Sequence, residues 1–558
     1  MWGTFNENAA YLSVGASERM AAPEKFVAGE IRAYQPDVAD RAAKVGAFGR
    51  ALRQAGVTVY GVADGRAGAV LWDGESKITF PIYRDKRPVS PDFFIDVIDA
   101  KMVASGDANT YLRYLRDDPV FRSRTTYIAA PFTPGIRGGD PYRRLGFLVV
   151  TGPGVKPGTL LTSPTTRTPG LVANVDIAPT ITALYGAAIP GAAGRPVRTL
   201  SNHDVRGTLG ALDRQTDAAA RATTPVLAGY GIFAGLSCLL ALFALRGASK
   251  GWQRAARFLL LTAAAVLPAL LAVGVIAPQT PLLYGATLAA FAIGVAAVAY
   301  FAAPRLGTNP LSVLFYSLVL TVIGDAFLHT RLVETSLLSA STLTGIRFYG
   351  MGNEWFGLLL GAALACVAPW WLGIVVVCAV GLPYFGADAG GTLAATTAFA
   401  VLFFARRKAG WKRRHYAAAF ALAVAVTVAF ALLDRLQPGS ARSHIGAAVA
   451  TGETSSGLAA LTGMVARKIA MNGSLLLSPW TLITVIALVG IGAGLRRLVR
   501  EGLPDTSELR YAVVPATASG AIVAFLFNDG GVAAGILILV PVIVRFLDAL
   551  LADKIESA

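Results

Sequence analysis

Arg347-Phe-Tyr-Gly-Met-Gly-Asn-Glu-Trp-Phe356 sets a cation, an amide, a carboxylate, two glycines and several aromatic rings between two strongly apolar segments. Polar groups at membrane depth are costly unless they line a cavity or serve a function. The stretch therefore points to a membrane protein with a polar interior face, and Arg347, Asn353 and Glu354 become its first site candidates. The plainer reading is a glycine-rich turn within an interfacial aromatic belt.

On both sides the sequence repeats apolar runs of about twenty residues, the length that crosses a bilayer. Eleven spans are predicted: Val226–Leu245, Ala256–Ile276, Leu282–Ala302, Leu311–Phe327, Phe356–Ala368, Trp370–Leu382, Thr392–Ala405, Tyr416–Leu433, Ser474–Gly492, Ala512–Phe527 and Val532–Leu550. The fifth to seventh are short and broken by Pro or Gly. Of 558 residues 54% are hydrophobic and only 15% charged, which suits a polytopic membrane protein carrying a soluble part. The expected organisation is a soluble α/β domain over residues 1–220 and an all-α transmembrane bundle over 221–558.

The net charge of +16 follows from topology and needs no nucleic-acid partner. Alternate loops concentrate Arg246, Lys250, Arg254 and Arg257, then Arg305, Arg406 to Lys408, Lys412 to Arg414, and Arg496, Arg497, Arg500 and Arg510. The positive-inside rule makes these loops cytoplasmic, so the C-terminus lies inside and the first domain outside, in the plasma membrane. Met1-Trp-Gly-Thr-Phe shows no signal peptide. An external domain needs one or an anchor helix, so the start is expected to lack upstream text. Cys238, Cys366 and Cys378 all fall in apolar runs and read as packing residues.

In the first domain Glu18–Gln54 reads as helix, and Val57–Ala63, Ala69–Trp72, Ile78–Ile82, Thr126–Ala130 and Leu145–Val150 read as strands. Strands alternating with helical text argue for an α/β domain. Asp176 is placed to cap a helix in which Pro179 sits in the first turn and Gly186 forms the end.

The texts Gly152-Pro-Gly-Val-Lys-Pro-Gly158, Thr165-Thr-Arg-Thr-Pro-Gly-Leu-Val-Ala-Asn-Val-Asp-Ile-Ala-Pro-Thr-Ile-Thr-Ala-Leu-Tyr-Gly186 and Ile189-Pro-Gly-Ala-Ala-Gly-Arg-Pro-Val197 resemble the C-terminal signature of the alkaline phosphatase-like superfamily. Asn8–Arg19 resembles text that follows the nucleophile in its mutase branch. The resemblance implies an α/β phosphatase-like domain, N-terminally incomplete, with two divalent metals and a Ser or Thr nucleophile. The catalytic motifs are degenerate or missing here. Before Arg221 the chain holds one histidine, His203, and Ala130-Pro-Phe-Thr-Pro134 stands where the family has Asp-His-Gly. Asp96 and Asp99 are the remaining metal-ligand candidates. The other reading is two solvated acids at an element edge.

The loops on the external side carry Gly386-Ala-Asp-Ala-Gly-Gly391, Ser443-His444, Arg467-Lys-Ile-Ala-Met-Asn472 and Asn528-Asp-Gly-Gly531. Together with the opening stretch they resemble texts that recur in bacterial membrane proteins joining a phosphatase-like domain to a membrane bundle. Four polar, glycine-interrupted segments of both signs predict a cavity at the outer face. Arg347, Asn353, Arg467, Lys468 and Asn528 are assigned to substrate binding, with Arg and Lys holding phosphate. Glu354, Asp388, His444 and Asp529 are the candidate catalytic groups.

The expected partner is a membrane lipid or lipid-linked phosphate substrate of the envelope. The alternatives are a metal-dependent phospho- or sulfo-hydrolase completed by upstream residues, and a transporter or flippase-like bundle.

Overall fold

The computed structural model describes residues 46–57, 59–62, 93–96, 113, 117, 125–129, 145–329, 331–339, 350–407, 412–436, 472–473, 475–500, 508–528 and 530–557. These fall into two compact units, one ending at Asp213 and one beginning at Arg214.

In the first unit α1 (Ala47–Gln54) buries Phe48, Ala51 and Leu52, one face at helical spacing, against Ala178 and Ile181 of α2 (Ile177–Leu184). Strand β1 (Val59–Val62) pairs in parallel with β2 (Phe93–Asp96), with Val62 opposite Asp96. Strand β3 (Thr126–Ala129) pairs antiparallel with β4 (Leu148–Thr151), and β5 (Thr159–Thr162) antiparallel with β6 (Arg198–Ser201). The strand text at Val57, Thr126 and Leu145 is thus matched, whereas β5 and β6 carry no comparable signal in the sequence. Among the described residues the strands remain three separate pairs and do not join into the single sheet expected of an α/β domain. The strands read at Ala69 and Ile78, and the helical text before Gly46, lie outside the described residues.

Asp176 departs from its expected role. It precedes α2, and Gly186 ends that region with φ +68° as read, but the Asp176 side chain makes no bond to the helix it precedes. Its carboxylate is fully buried and accepts from Ser163 Oγ at 2.7 Å, Thr165 Oγ1 at 2.5 Å, Ala173 N at 2.9 Å and Arg195 N at 2.8 Å. It is a cross-tie joining three loops. A carboxylate is the side chain that can accept this many donors at once.

The second unit is helical: α3 (Val205–Leu245, its start shared with the first unit), α4 (Lys250–Ile276), α5 (Pro281–Arg305), α6 (Pro310–Leu328), α7 (Leu332–Thr335), α8 (Asn353–Ala365), α9 (Trp370–Gly381), α10 (Ala389–Arg406), α11 (Arg413–Arg435), α12 (Pro479–Arg500), a π-helical turn at Leu509–Val513 leading into α13 (Val514–Phe527), and α14 (Gly531–Ser557). Among the described residues eight helices are long and apolar enough to cross a membrane: α3 to α6, α10, α11, the Leu509–Phe527 helix and α14.

The eleven expected spans therefore become eight among the described residues. The predicted spans at Phe356 and Trp370 form helices of 13 and 12 residues, about 20 Å of rise against a hydrocarbon core of about 30 Å. Val367 takes φ +54° and Pro369 follows, which together break what hydropathy reads as continuous apolar text. The span read at Ser474 begins later, as α12 (Pro479–Arg500), and is not among the eight.

Helix α8 lies at the centre of this unit. Every residue from Trp355 to Ala365 is buried. A side-chain carbon at Gly357 would fall 2.7 Å from the Ala534 carbonyl oxygen, and one at Gly361 would fall 2.5 Å from that of Ile538. The Gly357-x-x-x-Gly361 face thus lets α8 and α14 meet backbone to backbone.

The Asp176 tie can be tested. Asp176→Ala leaves several buried donors without an acceptor and should destabilise the first unit by about 3 kcal/mol, read by pulse proteolysis of the full chain. Burial pushes the Asp176 carboxyl above the ordinary carboxylate range, outweighing its hydrogen bonds. A raised folded-state pKa gives stability that is complete below the unfolded value and declines as pH rises through the folded one. Asp176→Asn should flatten that decline, and an unchanged slope would contradict it.

Candidate functional site

Asp388, Asn353 and Asn528, far apart in sequence, meet at one end of the helical unit. Asp388 is the N-cap of α10, and its Oδ1 accepts from Gly391 N at 2.9 Å, the short-range bond that an Asp three residues before that N–H is suited to make. Asn528 is the C-cap of α13 and directs Nδ2 at Asp388 Oδ2, 3.4 Å away. Both side chains are buried.

Asn353 opens α8. Its Nδ2 would lie 2.7 Å from a side-chain carbon placed at Gly530, so the amide packs on the turn between α13 and α14. Glu354 follows in the same first turn, its Oε2 folded back towards Gly352.

The loops are welded by glycine. A carbon at Gly350 would meet the Gly386 carbonyl oxygen at 2.7 Å, and one at Gly390 would meet that of Phe527 at 2.6 Å. Gly350 also takes φ +79°, a conformation open mainly to glycine. The glycines that give these loops their sequence signature are therefore contact points between three backbones. They bring the N-termini of α8, α10 and α14 to one place.

Asn472 completes the cluster. It is fully buried and donates Nδ2 to Phe525 O at 2.7 Å and Asn528 O at 3.2 Å, while its Oδ1 is buried without a hydrogen-bond partner. The two carbonyl acceptors fix which way the amide points. The sequence reading places the Arg467–Asn472 text at this face but assigns the role to Arg467 and Lys468, not to Asn472. Asp434, likewise given no role there, is buried at the end of a crevice lined by Gly381, Pro383, Thr392, Thr427 and Phe430 beside the start of α10.

Asp325 and His329, which close α6, serve the rim. The Asp325 carboxylate accepts from Leu332 N at 2.8 Å and Val333 N at 2.9 Å and so holds α7. His329 stacks on Phe385 of the loop leading to Asp388. Trp355 Nε1 donates to Ser336 Oγ at 2.8 Å and fixes α8 to the segment after α7.

Of the predicted site residues, the structure gathers Asn353, Glu354, Asp388 and Asn528. Arg347, His444, Arg467, Lys468 and Asp529 lie outside the described residues, as does Asp99. Asp96 ends β2, in the first unit. Among the described residues no three His, Cys, Asp or Glu side chains cluster as a metal site. Comparison with protein-family models, curated proteins and solved structures returned no match.

Capping and charge at Asp388 can be separated. Asp388→Ala removes the cap of α10 and should cost about 1–2 kcal/mol in thermal unfolding of the purified chain. Asp388→Asn keeps a good capping side chain and should cost much less. Equal losses would show that the charge, rather than the cap, holds the loops together.

Proposed function

We propose that this chain is a multi-pass membrane protein that binds a phosphate-bearing lipid or lipid-linked envelope substrate at the end of the bundle where α8, α10 and α14 begin. The observation carrying this reading is the convergence of three helix N-termini on one amide-rich cluster. Unsatisfied backbone N–H groups and aligned peptide dipoles at such ends favour anions. Arg347, Arg467 and Lys468 are the cations proposed to complete the phosphate contacts, with Glu354 and Asp388 as acid–base groups.

The opposite end carries Arg406, Arg413, Arg414, Lys250 and Arg254, so the positive-inside rule supports an outward-facing site in the plasma membrane. Helix rise adds a depth argument. The site lies only the length of α8, about 20 Å, from the carbonyls that Arg406 holds at that helix's far end, which favours a recessed head-group site.

The short, fully buried α8 also supports a second reading, a transporter or flippase-like bundle. Discontinuous helices whose N-termini face an anionic substrate are a feature of secondary transporters. For the first unit we propose an alkaline phosphatase-like domain that contributes recognition. An active metal-dependent hydrolase would need ligands beyond the described residues, and hydrolysis of a simple phosphodiester with added divalent metal would support it.

Binding is tested by retention of a short-chain polyprenyl phosphate on the full chain in nanodiscs. Asn353→Leu and Arg467→Gln should each lower retention about tenfold. Unchanged retention in both would refute the site. Movement of the same phosphate across liposomes, lost in Glu354→Gln, would favour transport over binding alone.

A further inference from the structure

We infer a second anion site, at the basic end of the bundle, in which Arg257 of α4 and Arg545 of α14 hold a phosphate-type anion. It rests on a charge imbalance independent of the cluster at the other end.

Arg257 donates Nε to Asp548 Oδ1 at 2.7 Å, a well-formed charge-assisted bond. Arg545, one helical turn before Asp548, reaches the other carboxylate oxygen only at 3.6 Å, and its buried Nε has no hydrogen-bond partner. Two guanidinium groups thus share one carboxylate, and the cluster keeps one positive charge in excess.

A guanidinium is always charged and carries five N–H donors. Leaving it under-satisfied away from water is among the most unfavourable arrangements a membrane helix can hold. The side chains of Arg545 and Arg257 are 18% and 29% exposed, whereas that of Asp548 is 7% exposed, so the two cations are more open than the carboxylate between them.

The position suits a phosphate. Arg257 stands seven residues into α4, about 10 Å from the basic start of a 27-residue helix whose rise of about 40 Å exceeds a hydrocarbon core of about 30 Å. Arg254 and Lys250 are exposed on the same helix start, with Trp252 and Phe258 exposed beside them as interfacial residues. Lys554 of α14 donates to the Leu245 carbonyl oxygen and ties α14 to the end of α3. Paired guanidinium forks match the geometry of a phosphate better than that of a point charge. A phospholipid head group and free inorganic phosphate offer the same chemistry, and the experiment separates them.

The full chain is studied by native mass spectrometry from nanodiscs of phosphatidylglycerol or phosphatidylcholine, and by its thermal shift in detergent with inorganic phosphate. The expected result is a retained phosphatidylglycerol adduct or a phosphate-dependent stabilisation, weakened about tenfold in Arg545→Gln. Asp548→Asn, which removes the competing carboxylate, should strengthen the same binding. Arg254→Gln, at the exposed neighbour, should leave it unchanged. Adducts alone identify a lipid site and stabilisation alone a free-anion site. Absence of both overturns the inference, as does equal binding by wild type, Arg545→Gln and Asp548→Asn. If Arg545→Gln fails to fold, the rise in Asp548→Asn decides.

Discussion

A helix of thirteen residues buried on all sides must satisfy its terminal backbone groups within the protein, and the helical unit is built around that constraint. At the far end of α8, Arg406 donates Nη2 to Val367 O at 2.7 Å and Nη1 to Ala368 O at 3.2 Å, and its Nε pairs with Glu508 at 3.0 Å. One side chain thereby joins the ends of α8 and α10 to the π-helical turn that begins α13. A cation is also the favourable charge at that end of a helix. Val367, β-branched and held at φ +54°, is a strained residue pinned within this clamp.

The near end of α8 is arranged differently. It is met by amides, by the Asp388 cap and by glycine-to-carbonyl contacts, so three helices start where one polar cluster sits. The converging N-termini of α8, α10 and α14 give this end a local positive polarity, while the other end carries arginines. The proposed phosphate chemistry follows from that polarity at the first end. At the second it follows from one surplus guanidinium, Arg545, beside Cys366 at the close of α8.

Much of this was legible in the sequence. Eight of the apolar runs became spanning-length helices among the described residues, because lipid tolerates little else at that length. The meeting of Asp388 with Asn528, 140 residues apart, was anticipated because loops on alternate sides of a bundle reach the same face. The short α8 and α9 were misread, since hydropathy does not see the left-handed turn at Val367. Asp176 was misread because a cap is a local signal, whereas its actual partners, from Ser163 to Arg195, are set by tertiary packing. The Arg406 clamp and the shared Asp548 leave no local pattern, as each joins helices more than a hundred residues apart.

The helical unit depends on the backbone contact between α8 and α14, and thermal unfolding of Gly361→Val beside Gly294→Val measures it most directly. A side-chain carbon at Gly294, in α5, would have nothing within 4 Å, whereas one at Gly361 would face the Ile538 carbonyl oxygen. The expected result is a loss of about 2 kcal/mol or more for Gly361→Val beyond any cost of Gly294→Val. Equal effects of the two substitutions would contradict a central helix held by close backbone packing.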